Sequence, residues 1–250
     1  MESSVFPTLF TLIDDIRAFI NNGLAVLPLT IIGTALIISL MSANYAMLFM
    51  LMIMIIFVPG LLFGGNMLLE LVTTPFGAPT SQWLGARSSD LCDLIPPFPV
   101  PSRAPTGLHY TFGSYWLAMV SFFIGYTISN AVALLRKDTQ MPVNADDPTQ
   151  KMVQAGQNNR KTQAISAIIT TLIFGLIVII MRIMSSGCEP YIFSVISSIL
   201  FAVFGWGIYN FLAAIGQDRL SDIFGIANRL LSPDSMNSVP YACLPPAASP

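Results

Sequence analysis

From Ala18 to Leu69 the chain reads AFINNGLAVLPLTIIGTALIISLMSANYAMLFMLMIMIIFVPGLLFGGNMLL, 52 residues without one Asp, Glu, Lys, Arg or His. About 20 residues of helix cross the roughly 30 Å hydrocarbon core of a bilayer. This stretch is therefore long enough to cross, turn and cross back. Ser42-Ala43-Asn44-Tyr45 is the natural turn, since Ser and Asn favour turns. Buried helices of a soluble all-α protein fit the stretch poorly, because such helices seldom lack a polar face.

The rest of the chain repeats the pattern. Of its 250 residues 54% are hydrophobic and 10% are charged, against about 25% charged in ordinary soluble domains. The expected fold class is an all-α polytopic membrane protein with about five transmembrane helices: Gly23–Met41, Ala46–Gly65, Phe112–Leu135, the uncharged residues between Lys161 and Arg182, and Tyr191–Ile215. Charges flank these spans, as they must when each charge at a helix centre costs roughly 2.5–3.5 kcal/mol on insertion scales. The resulting organisation is an interfacial amphipathic helix over 1–22, a transmembrane hairpin over 23–65 and a Pro-rich external loop over 66–111. Three transmembrane helices follow over 112–215, with a basic loop at 136–161, and 216–250 forms an amphipathic helix and an extended tail.

Arg136, Lys137, Lys151, Arg160 and Lys161 crowd one inter-span loop, which the distribution of positive charge places on the cytoplasmic side. Five spans put Arg219 and Arg229 on that side too, making seven of the eleven basic residues. The N-terminus, the loop 66–111 and the turn 182–190 fall on the other.

The segments outside the spans suit docking better than chemistry. Phe6, Leu9, Ile13, Ile16 and Ile20 recur at helical spacing opposite Thr11, Asp14 and Asp15, as in a helix lying along headgroups or against a partner. Seven of the 18 prolines lie in 66–111, including Pro96-Pro97-Phe98-Pro99-Val100-Pro101. That run should be extended and pre-ordered, which suits either recognition by another protein or a rigid spacer. After the last span Leu220, Ile223, Phe224, Ala227, Leu230 and Leu231 share one helical face up to Pro233. Exposure and composition single out Trp83, Phe98, Pro99 and Pro101 in the loop and Phe224, Arg229, Tyr241 and Pro245 in the tail as partner contacts.

Catalytic signals are thin. His109 is the only histidine and has no ligand-like spacing to carboxylates. Asp90 and Asp93 flank Cys92 without a calcium-loop pattern, and Asp146-Asp147 beside Pro148 read as a solvated turn. No enzyme, cofactor or metal centre is expected. A net charge of −2 gives no basic surface for nucleic acid. The expected partners are the lipid bilayer and other proteins, with no small-molecule substrate. Cys92 and Cys188 fall on the same non-cytoplasmic side, where a disulfide and two free thiols are both open readings; Cys243 is the odd thiol. Asn130, Thr170-Thr171, Ser194, Ser197-Ser198 and Asn210 lie within spans and suit interhelical hydrogen bonds. Gly60 and Gly64, with Gly205 and Gly207, permit close helix contact. Met47, Met50, Met52 and Met54 suit deformable packing.

Several strings carry a resemblance. Ser114-Tyr115-Trp116-Leu117-Ala118 opens the third span, Asn159-Arg160-Lys161-Thr162-Gln163-Ala164-Ile165 leads into the fourth, and Gly187-Cys188-Glu189 follows it. Asp222-Ile223-Phe224-Gly225-Ile226-Ala227-Asn228-Arg229-Leu230-Leu231 and Asn237-Ser238-Val239-Pro240-Tyr241-Ala242-Cys243-Leu244-Pro245-Pro246 close the chain. Over about residues 110–250 the chain resembles multi-pass virion membrane proteins of the nucleocytoplasmic large DNA viruses, icosahedral viruses whose capsid encloses a lipid membrane. The resemblance implies a structural protein of the viral inner membrane that touches minor capsid proteins and helps the membrane follow the shell. A small-solute channel or transporter, and an accessory subunit of a cellular membrane complex, are the alternatives.

Overall fold

A computed structural model describes residues 23, 26–77, 80–81, 83–87, 108–136, 148–186, 189–216 and 223. Within them the protein is all-α, with five helices: α1 Leu27–Ser42, α2 Tyr45–Thr73, α3 Tyr115–Arg136, α4 Pro148–Ser186 and α5 Tyr191–Gly216. Four of them, α2 to α5, are long and apolar enough to cross a membrane.

The expected first span is the exception. Pro28 stands in the opening turn of α1 and Ala43 ends the helix in the left-handed region at φ 50°, leaving 16 residues. At 1.5 Å per residue that is about 24 Å, short of the bilayer core. The turn itself falls where Ser42 to Tyr45 place it. The Asn44 N–H donates back to the Ser39 carbonyl at 3.0 Å, and the Asn44 side chain accepts from the Met47 N–H at 3.2 Å, capping α2.

The second span also differs from expectation, running on past Gly65 to Thr73, with a 3-10 turn at Thr74–Phe76. Leu68, Leu69, Leu71 and Val72 keep it apolar beyond the glycines. Its interior carries one π-helical turn, Ile53–Phe57, in which the Val58 N–H reaches the Ile53 carbonyl five residues back. Pro59 explains the widening. Its ring would clash with the carbonyl four residues earlier and it has no N–H to offer. Opening the turn just before it lets the helix continue.

α3 is the central helix. Along α5 it pairs in parallel: Tyr126 meets Tyr209 edge-on at 5.5 Å, Phe122 meets Phe204 at 5.7 Å, and the Asn210 amide reaches the Ser129 hydroxyl at 3.5 Å. Glycine makes this crossing close. A Cβ on Gly125 would stand 1.9 Å from the Ala202 carbonyl oxygen, and one on Gly205 would stand 2.2 Å from that of Phe122. On its other side α3 meets α4 in antiparallel fashion, Trp116 beside Arg182 and Ile124 beside Gly175. That register sets Arg136 level with the start of the α4 span. Residues 148–160 of α4, part of the expected basic loop, therefore extend beyond α3 as roughly 20 Å of helix.

α2 joins the bundle at the other end. Its Asn66 carboxamide oxygen accepts the Phe112 N–H at 2.7 Å and the Thr111 hydroxyl at 3.2 Å. Met50, Met54, Val58 and Leu62 of α2 enter one core with Met119, Phe122 and Tyr126 of α3 and Tyr209 and Leu212 of α5. Two consequences position the rest of the molecule. The end of α2, the start of α3, the end of α4 and the start of α5 meet at one end, the Glu189 end. Arg136 and Lys161 mark the other.

Candidate functional site

The polar residues of the Glu189 end come together where three helix termini converge. Ser114 immediately precedes α3, and its hydroxyl oxygen accepts the Leu117 N–H at 3.2 Å, an N-cap. Glu189 lies two residues before α5, held by Pro190. Its carboxylate accepts the Ser114 backbone N–H at 3.1 Å, the Ser114 hydroxyl, and the Ser194 hydroxyl at 3.2 Å. Arg182, from the end of α4, pairs with it at 3.7 Å and lies 5.3 Å from the centre of the Trp116 ring. Glu189 is 0% exposed.

The chemistry is that of an internal anion site already filled. The Ser114 N–H and hydroxyl at the start of α3 and the Ser194 hydroxyl in the first turn of α5 point at the carboxylate, and both helices begin beside it with the positive ends of their dipoles. The Arg182 guanidinium adds a full charge, and the Trp116 face steadies that charge. Removing either ion leaves the other buried and uncompensated, which costs several kcal/mol in comparable pairs.

The cluster adds one feature to the expected pattern of flanking charges. Arg182 closes the fourth span and is buried within the protein, where Glu189 supplies a counter-ion across the turn. A signal was available in the sequence. Glu189 is the lone acid between Asp147 and Asp218, and Arg182 the lone base between Lys161 and Arg219. An isolated opposite pair bracketing one short turn is the arrangement that burial demands.

Trp83 is the one expected contact residue among those described. It is 62% exposed, its ring stands edge-on to Tyr191 at 5.4 Å, and its carbonyl accepts the Ile192 N–H at 3.2 Å. Trp83 thus caps α5 while leaving most of its indole free at the Glu189 end. Just beyond it β1 Ala86–Arg87 pairs antiparallel with β2 Leu108–His109. This short ladder pins together the two ends of the segment that carries Phe98, Pro99 and Pro101. Those three residues, the tail residues Phe224, Arg229, Tyr241 and Pro245, the thiols Cys92, Cys188 and Cys243, and the helix expected near 5–20 lie outside the described residues.

The polar positions within spans divide. Asn210 makes its interhelical hydrogen bond, and Ser194 joins the Glu189 cluster. Ser198 instead donates to the Ser194 carbonyl within its own helix at 2.8 Å. Asn130 breaks the pattern: it is 0% exposed, and neither its amide nitrogen nor its oxygen finds a partner among the described residues. Among the glycines Gly205 makes the expected close contact. Gly60, Gly64 and Gly207 have nothing within 4 Å of a built Cβ, and Gly125, at the tightest contact, carried no sequence signal of its own. Among the described residues no three of His, Cys, Asp or Glu come together as metal ligands.

Comparison with family models, with curated proteins and with solved structures finds no match to this chain.

Proposed function

We propose that this chain is a structural protein of a virus particle's internal membrane, tying that membrane to the capsid shell through minor capsid proteins. The observation that carries the reading is the use made of a buried ion pair at the Glu189 end of the bundle. Ionisable residues inside a membrane bundle mark ion or substrate pathways by default. Here Arg182 and Glu189 are engaged with each other and with two helix ends, as rigid joinery. The resemblance over residues 110–250 supplies the viral setting. The course of the chain supports a linking role. Trp83 and the base of the Pro-rich segment stand at the Glu189 end, while α5 ends at Gly216 at the opposite end of the bundle, so the loop and the tail are attached at opposite ends.

The test is incorporation into particles. Replacing 238–250 with a Gly/Ser linker should weaken incorporation while membrane insertion stays intact, and replacing 96–101 in the same way tests the other face. Normal incorporation of both variants overturns the linking role. Cross-linking in native particles should join this chain to capsid components.

Asn130 favours a second reading, a small-solute channel or transporter. A buried, unpaired carboxamide beside Thr127, whose hydroxyl is also unpaired, is what a polar solute would need. Flux through purified protein in liposomes, abolished by Asn130→Leu, would establish it; liposomes that stay sealed would remove it.

A further inference from the structure

We infer that α4 is a homotypic association helix, whose face opposite α3 packs against the same face of a second copy of this chain within the bilayer.

The two faces of α4 are defined by burial. Ala164, Gly175, Val178 and Arg182 are buried towards α3. Half a turn away Gln163, Ser166, Thr170, Ile173, Ile177, Ile180 and Met184 are all exposed. Their spacing alternates three and four residues without interruption, the seam of two helices packed side by side. The same register continues in the sequence through Asn159, Gly156 and Met152, along the part of α4 that extends beyond α3.

Lipid is an incomplete occupant for this seam. Gln163, Ser166 and Thr170 occupy the half of it nearest the basic end, and among the described residues none of their side chains has a hydrogen-bond partner. Thr162, off the seam, does return its hydroxyl to the Asn158 carbonyl at 2.9 Å. Hydrocarbon offers polar groups nothing, whereas a facing helix does. A second copy fits for two reasons. A carboxamide and a hydroxyl each donate and accept, so each can be satisfied by its own twin across a two-fold axis. The seam is also uncharged, so bringing two copies together meets no repulsion. Thr170, Ile173, Ile177 and Ile180 are β-branched and present little side-chain entropy to lose. The inference needs only that α4 lies in a membrane and is independent of the viral reading.

The test uses the full-length chain in lipid vesicles. In a background with Cys92, Cys188 and Cys243 changed to Ser, single cysteines are placed along 163–184 and oxidised. Disulfide-linked dimers should peak at 163, 166, 170, 173, 177 and 180 and fall at 165, 172 and 176, which are exposed but off the seam. Independently, resonance energy transfer between labelled copies retaining their native cysteines should show self-association. The variant Gln163→Leu with Thr170→Val should weaken that association about tenfold. This variant is more apolar than the parent, so its insertion is not in question. Equal cross-linking at all exposed positions, a monomer at every protein-to-lipid ratio, or an undiminished association of the variant would each overturn the proposal.

Discussion

α3 and α4 lie side by side and are built on opposite logic. Over an 18-residue apolar stretch of α3, 72% of residues are buried; over the matching stretch of α4, 17% are. In a soluble protein the more apolar helix would be the inner one. Here the inner helix carries Ser121, Thr127, Ser129, Asn130 and Gly125, and the outer one is studded with Ile, Leu and Phe. Lipid tails are as apolar as leucine side chains, so no hydrophobic force sorts these helices. Close approach of backbones and a few polar contacts do the sorting. The interior of the bundle is therefore found by its small and polar residues.

That contrast can be broken most severely at Gly125. Gly125→Leu drives a side chain into the Ala202 carbonyl, a backbone obstacle that cannot swing aside. We expect a loss of more than about 3 kcal/mol, past the usual range for overpacking, measured as unfolding of the purified protein in mixed micelles. Gly175→Leu, against the flexible end of Ile124, should cost less, and Gly60→Leu, with open space around it, should be neutral within about 0.5 kcal/mol. Equal effects at Gly125 and Gly60 would mean that α3 is not the packed helix.

Glu189→Ala comes next. It strands Arg182 in a buried position and frees the start of α3, for an expected loss of about 3 kcal/mol. Glu189→Ala together with Arg182→Leu should recover much of it, because the damage lies in the orphaned charge. A double variant as unstable as the single would assign the effect to the helix caps alone.

Smaller effects test the α1–α2 turn. Asn44→Ala removes the cap on α2 and should cost about 1 kcal/mol. Ala43→Gly has the opposite sign. A residue held at φ 50° is strained unless it is glycine, and relieving the strain should stabilise by roughly 0.5–1 kcal/mol. A destabilised Ala43→Gly variant would place the turn elsewhere.

How much of this was legible beforehand varies by region. The turn after Ser42 was readable because Asn44 is a strong cap and its neighbours are unbroken apolar runs. The end of α2 was not, because Gly64 and Gly65 look like a stop, while Asn66, pinned to Phe112, is what couples the helix to the next one. Gly205 stood out in the sequence and Gly125 did not, although the two glycines serve one crossing. Trp83 was expected at a surface and is exposed. Its partnership with Tyr191 required two segments more than a hundred residues apart to meet.

Composition by itself determined that long helices of this chain belong in lipid, since no other solvent accepts uncharged runs of this length. It also set where the charges could stand, because each is expensive inside the hydrocarbon. Only the tertiary structure decided which helix is central and which face of α4 remains open. It alone brought Arg182 and Glu189 together over Ser114. Those outcomes depend on backbone distances of a few ångströms and on the direction of single hydrogen bonds, which are properties of helices placed against one another.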